Sequence, residues 1–161
     1  GVSPLPKSQL DRFMIWVEMG LPDAEQERQV YLRQVSGLTQ PAATETSELT
    51  LSPGELVQIR SELDGVHVDP SLVVYVQELL ACVRALESVH SGVSVRGGLA
   101  WLRAAQARSW IHGRKFIVPQ DLTELAAPVL AHRLRLTSPK APYSAKVEAI
   151  QRAVSEVRIP K

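Results

Sequence analysis

Gly92-Val93-Ser94-Val95-Arg96-Gly97-Gly98 opens a helix, and the reading of the whole chain turns on it. Ser94 is a good N-cap, because its hydroxyl oxygen can accept from the first-turn amides. The helix continues through Leu99, Leu102, Ala104, Ala105, Ala107 and Ile111 to about His112, where Gly113 supplies a left-handed stop. Its small, alanine-rich interior predicts close approach by neighbouring helices. Arg96 adds a guanidinium fork to the exposed N–H groups of the first turn, an arrangement that suits a phosphate. Without a bound anion, a cation at that end opposes the helix dipole.

Outward from this helix the pattern stays helical. Asp69-Pro70 is a cap followed by proline at the first helical position, and Leu72, Val76, Leu79, Leu80, Val83 and Leu86 form the apolar stripe of a long amphipathic helix. Ser52-Pro53-Gly54-Glu55 is a capping-box signature. Asp23 caps an earlier charged helix that Gly37 ends, and Leu38 to Thr50, poor in large apolar side chains, reads as a surface linker. Pro119 to Ala127 is helical, and Pro128 predicts a kink or restart before Val129-Leu130-Ala131-His132-Arg133-Leu134. Tyr143 to Val157 makes the last helix, with Val147, Ile150 and Val154 on one stripe.

Strand signals are few. Val66-His67-Val68 is expected to pair with Phe116-Ile117-Val118, each run leading into a proline-started helix. Phe13-Met14-Ile15-Trp16-Val17-Glu18-Met19 is β-branched and aromatic enough for a short buried strand, yet it has no partner strand in the chain. An open edge invites pairing, so this run is expected either to lack order or to pack on a second copy.

Composition narrows the function classes. The 161 residues are 45% hydrophobic and 22% charged, with a formal net charge of +1, so bulk electrostatics do not suggest a nucleic-acid binder. No run has the roughly 18 to 20 apolar residues of a membrane span. A single cysteine, Cys82, excludes an internal disulfide framework, fits the cytoplasm and reads as a buried small hydrophobe. His67, His90, His112 and His132 are too scattered for a metal site. Trp101 and Trp110 fall on nearly opposite helix faces, which makes at least one of them core; Arg103, Arg108, Arg114, Arg133 and Arg135 read as solvated surface rather than a basic face.

Four motifs in order resemble the MoxR group of AAA+ ATPases. Pro4-Leu5-Pro6-Lys7-Ser8-Gln9-Leu10-Asp11-Arg12-Phe13 is similar to its "PLPEAQLDRF" stretch, and Gly92 to Arg96 to its "GASPR" helix start. Gly113-Arg114-Lys115-Phe116-Ile117-Val118-Pro119-Gln120-Asp121-Leu122 resembles "GRDYVTPEDV", and Val129 to Leu134 resembles "VLRHRL". The resemblance implies a mainly α fold: a helical-bundle AAA+ lid with very short β pairing, preceded by a remnant strand of the α/β ATPase core. Residues 1–22 would then close the core domain and residues 23–161 would form the lid.

The same resemblance implies roles. Arg12 would be an arginine finger acting in trans on a neighbouring subunit's ATP, and Arg96 a sensor 2 residue meeting the nucleotide phosphates in cis, with Ser94 beside it. Three departures stand out. Val95 replaces the proline before the sensor arginine, Val118 replaces a hydroxyl-bearing N-cap worth about 1 kcal/mol, and Lys7 replaces an acidic residue.

The chain contains neither a G-x-x-x-x-G-K-[ST] loop nor an apolar strand ending in Asp-Glu, so ATP and Mg2+ are expected in a longer protein and neither in this segment alone. Such a protein is expected to form a homo-oligomeric ring, a hexamer, that acts on protein clients or assists cofactor or metal insertion, with no membrane or nucleic acid involved. A nucleotide-independent helical domain binding protein or DNA is the competing reading, and the linker and tryptophans allow it.

Overall fold

The computed structural model describes residues 5–36 and 50–160, so the linker from Leu38 and the stop at Gly37 lie largely outside the described residues. In chain order the elements are α1 (Lys7–Leu10), α2 (Ala24–Val35), α3 (Pro53–Asp64), α4 (Pro70–Ala85), β1 (Val89–Ser91), α5 (Val95–Ile111), α6 (Pro119–Leu130), a 3-10 turn (Ala131–Arg133), β2 (Arg135–Leu136) and α7 (Tyr143–Glu156). The chain divides into two compact units, one of them Glu18–Arg60 and the other made of the chain up to Val17 together with everything from Ser61 onward. None of the described helices is long and apolar enough to cross a membrane.

In the smaller unit, α2 begins with a complete capping box. The Asp23 carboxylate accepts from Gln26 N–H at 2.8 Å and Gln26 Oε1 accepts from Asp23 N–H at 3.2 Å. Ser52 and Glu55 make the same reciprocal pair at the start of α3, at 3.3 and 2.7 Å. Neither helix buries a side chain.

The larger unit is a bundle of α4, α5, α6 and α7. Each helix turns its stripe inward: Leu72, Val76, Leu79, Leu80 and Val83 from α4, Trp101 and Ala105 from α5, Leu122, Ala126 and Val129 from α6, and Ile150 and Ala153 from α7. Trp101 is fully buried, and its indole N–H donates to Leu122 O at 2.9 Å, which ties α5 to α6. Where α5 meets α4, a Cβ on Gly98 would stand 2.9 Å from Leu80 Cδ1, so the close approach depends on a missing side chain. Gly113 sits at φ 70° and ends α5 as a left-handed stop. Leu99 and Ile111, although on the same helix, are exposed at 63% and 73%.

The expected pairing of Val66–Val68 with Phe116–Val118 is present as a single parallel bridge. His67 N–H donates to Lys115 O at 2.8 Å and Ile117 N–H to His67 O at 3.1 Å. A second pairing was not anticipated: β1 and β2 run antiparallel, Val89 opposite Leu136 and Ser91 opposite Arg135. These strands are too short for any alternation to register in the sequence.

Several sequence expectations need correction. Phe13 to Met19 forms no strand. Its first half packs on its own chain instead, with Trp16 N–H donating to Pro128 O at 2.9 Å and the Trp16 ring stacked against Tyr143, 5.3 Å between centroids. Pro128 neither ends nor restarts α6, which runs on to Leu130. Cys82 is only partly buried, and its thiol donates to Glu156 Oε2 at 3.5 Å; burial first, then Glu156, pushes the thiol pKa up.

The missing hydroxyl at Val118 is partly made good. Asp121, at the third helical position, accepts from Val118 N–H at 2.9 Å, completing one half of a capping box. The same carboxylate, 2% exposed, takes both Arg114 terminal nitrogens at 2.7 Å, with Arg108 Nε at 3.4 Å. Burial raises the Asp121 pKa, but the hydrogen bonds from Arg114 and Val118 and the charges of Arg114 and Arg108 outweigh it, leaving the group below its ordinary value. Arg108 and Arg114 are therefore half-buried partners of an acid rather than a bare basic face.

Candidate functional site

The two motifs carrying Arg12 and Arg96 lie 83 residues apart at Asp11 and Ser94, and these residues are in direct contact. Ser94 is the N-cap of α5, and its hydroxyl oxygen accepts from Gly97 N–H at 3.2 Å. The hydroxyl proton faces the Asp11 carboxylate, with Oδ2 at 2.9 Å and Oδ1 at 3.2 Å. A single hydroxyl thus caps the helix and holds the turn that follows α1.

Arg133 supplies the rest of the joint. It is 2% exposed and lies in the 3-10 turn after α6. Nε donates to Val129 O at 2.9 Å; Nη1 donates to Asp11 O at 2.5 Å and to Asp11 Oδ1 at 2.6 Å; Nη2 donates to Phe13 O at 2.7 Å. Four of its five N–H donors are therefore used. The arginine stem needs room beside α5, since a Cβ on Gly97 would stand 3.1 Å from Arg133 Cδ and 2.3 Å from Val93 Cγ1.

His132 completes the wall. Nε2 donates to Phe13 O at 2.9 Å, and Nδ1 has no hydrogen-bond partner among the described residues. The ring stacks on Trp16 at 6.5 Å between centroids. Burial lowers its pKa most, and neighbouring Arg133 pushes in the same direction against the raising effects of the Phe13 and Pro128 carbonyls and of Asp11.

Arg12 and Arg96 both project from this framework into solvent. Arg96 is the second residue of α5, directly behind its cap. Neither guanidinium has an ion pair or a side-chain hydrogen bond among the described residues. Arg96, in the first turn of α5, adds a cation to the N–H groups exposed there, an arrangement suited to an anion. No cluster of histidine, cysteine and carboxylate groups able to hold a metal occurs among the described residues.

The sequence pointed to Arg12, Arg96 and Ser94. It gave no role to Asp11, and it placed Arg133 on the surface. The signal for Arg133 was its position in Val129-Leu130-Ala131-His132-Arg133-Leu134, where a histidine and an arginine interrupt an apolar run of the kind that is usually buried. A buried arginine requires a carboxylate or several carbonyls, and here it has both.

The model of the AAA lid domain matches residues 83–154. The chain is 35% identical over 162 aligned residues to the uncharacterized protein YeaC of Bacillus subtilis, covering 99% of this chain and 49% of that protein. It is 34% identical to the chaperone MoxR1 of Mycobacterium tuberculosis, covering 85% and 37% of the two chains, and 30% identical to MoxR of Paracoccus denitrificans, covering 83% and 44%. The crystal structure of a candidate ATPase from Cytophaga hutchinsonii superposes with a TM-score of 0.73 at 27% identity, over 99% of this chain and 50% of that one. The chain spans about half the length, or less, of these relatives. By its lid-domain match and by its likeness to MoxR proteins over more than four-fifths of its length, this chain belongs to the MoxR-type AAA+ proteins and contains their lid.

Proposed function

We propose that this chain is the lid-bearing part of an ATPase, with residues 1–22 closing the nucleotide-binding core and residues 23–161 forming the lid. Arg96 contacts the phosphates of ATP bound in the same subunit, and Arg12 reaches the ATP of a neighbouring subunit. Mg2+ accompanies the nucleotide, and the protomers form a ring, a hexamer, in the cytoplasm. Turnover then drives remodelling of protein clients, as the name of the chaperone MoxR1 suggests for that relative.

The observation that carries this reading is the Ser94–Asp11 hydrogen bond, which places an exposed, unpaired arginine on each side of one joint. Charge develops over the transferring phosphoryl group, and a positioned guanidinium stabilises it. An arginine beside a helix N-terminus is unfavourable in the empty state and becomes favourable once a phosphate is bound. Coupling follows: nucleotide binding draws the start of α5, with the Arg12 turn bonded to it, toward the phosphates, and loss of the terminal phosphate releases both.

The test is Arg96→Ala in the full-length protein. ATP hydrolysis should fall by on the order of 10²-fold or more while the lid keeps its fold. Wild-type turnover by that variant would refute the assignment.

A further inference from the structure

Arg133 donates to the carbonyl oxygens of Asp11 and Phe13, the two residues that flank Arg12. The peptide that leads into Arg12 and the one that follows Phe13 are therefore held by the same side chain, while the Arg12 side chain stays exposed. The Asp11 side chain is shared between Arg133 Nη1 at 2.6 Å and Ser94 Oγ at 2.9 Å, and Ser94 caps the helix that bears Arg96. We propose that Arg133 and Asp11 are positioning residues that lock the Arg12 turn to the start of α5, so that Arg12 and Arg96 move as one body. The proposal rests on the assignment of those two arginines to ATP phosphates given above.

The physical case has three parts. First, the clamp is directional: a planar fork with donors in fixed positions spans two carbonyls and a carboxylate, which the single ammonium of a lysine cannot do. Second, it is buried, with Arg133 at 2% exposure, so its hydrogen bonds are shielded from competing water. Third, it is braced from behind, because Nε is held by Val129 O and the stem occupies space left free by Gly97. His132, on the same turn, adds a second donor to Phe13 O. A bracket of this kind carries motion of the lid directly to the residue that reaches into the neighbouring subunit, which links the nucleotide state of one protomer to hydrolysis in the next.

The experiment is a double-mutant cycle in the full-length assembled protein, with ATP hydrolysis as the readout. Arg133→Lys should lower kcat by on the order of 10²-fold, as expected for an angstrom-scale misplacement, with KM within about twofold of wild type. Arg12→Ala and Arg12→Ala/Arg133→Lys should then be equally slow, since a misplaced finger and an absent one cannot both count. Ser94→Asp keeps an acceptor for Gly97 N–H but sets a carboxylate against Asp11, so it should slow turnover too, and Asp11→Asn in the same chain should restore it. If Arg133→Lys fails to fold, this pair decides the matter.

Wild-type kcat in Arg133→Lys, fully additive losses in the cycle, or no rescue by Asp11→Asn would overturn the proposal. Wild-type turnover in Arg12→Ala would instead overturn the underlying assignment of the finger, so the two failures are distinguishable.

Discussion

Ser94 Oγ lies 2.9 Å from Asp11 Oδ2 while accepting from Gly97 N–H, so the cap of α5 and the tether of the Arg12 turn are the same atom. Replacing it by alanine removes both functions. Ser94→Ala should destabilise the chain by about 1 to 2 kcal/mol, at the upper end of the usual cost of losing a cap, because Asp11 also loses a donor. Ser94→Gly should show the same loss of the Asp11 contact with a smaller capping cost. Urea unfolding of the chain measures both.

The Arg114–Asp121 pair carries a second prediction. Asp121→Ala leaves Arg114 and the Val118 N–H without their acceptor and opens the start of α6 beside the His67–Phe116 bridge. A clear loss is expected, chiefly from the Val118 N–H left without its acceptor, since the partly exposed Arg114 can turn to water. Asp121→Asn should cost less because it keeps one acceptor. Denaturation midpoints of the two variants give the comparison.

Besides the exposed carboxylates Glu55, Asp69 and Glu156, two buried groups shape the acid side of the stability profile. Asp121 has a lowered pKa in the folded state, so its contribution is complete above the unfolded value of 3.8 and is lost as pH falls through the lower folded value. His132 is also lowered, from 6.5, but it is a base that the fold keeps neutral. Its contribution is complete above pH 6.5 and declines as pH drops from there toward the folded pKa, because the unfolded chain takes up the proton first. The melting temperature should therefore begin to fall below about pH 6.5, and His132→Gln should flatten that first step. An unchanged profile in His132→Gln would contradict this account.

Trp101→Phe isolates the tie between α5 and α6. The ring is fully buried, so the phenyl group keeps most of the apolar contact while Leu122 O loses its side-chain donor. About 1 to 3 kcal/mol is expected from the orphaned carbonyl together with the residual void. Calorimetric melting of the variant tests it.

Much of the fold was legible from local chemistry. The caps at Asp23, Ser52, Asp69 and Ser94 start helices where the sequence says they should, because capping depends on residues within one turn. The apolar stripe of α4 likewise turned inward as its spacing requires. What could not be read depended on distant partners. Phe13–Met19 has strand composition, but strand structure needs a neighbour, and its backbone instead meets Pro128 and His132. Pro128 lacks an amide, yet α6 continues to Leu130 while the Pro128 carbonyl is taken by Trp16.

The candidate site divides in the same way. Arg12, Ser94 and Arg96 were visible because their motifs are short and contiguous. Asp11 and Arg133 act across 122 residues of sequence, a distance over which spacing alone says nothing. Arg133 was misread as surface because a charged residue is usually solvated, whereas here the α6–α7 connection buries it against two carbonyls and a carboxylate.

Subunit mixing in the full-length ring tests the central claim most directly. Protomers carrying Arg12→Ala are combined in increasing proportion with wild-type protomers, and ATP hydrolysis is measured at each ratio. A finger acting in trans, with an effect of roughly 10³-fold or more, predicts that each variant protomer silences its wild-type neighbour. Hydrolysis that stays at the wild-type level, or that is lost only at the variant's own sites, would contradict the account.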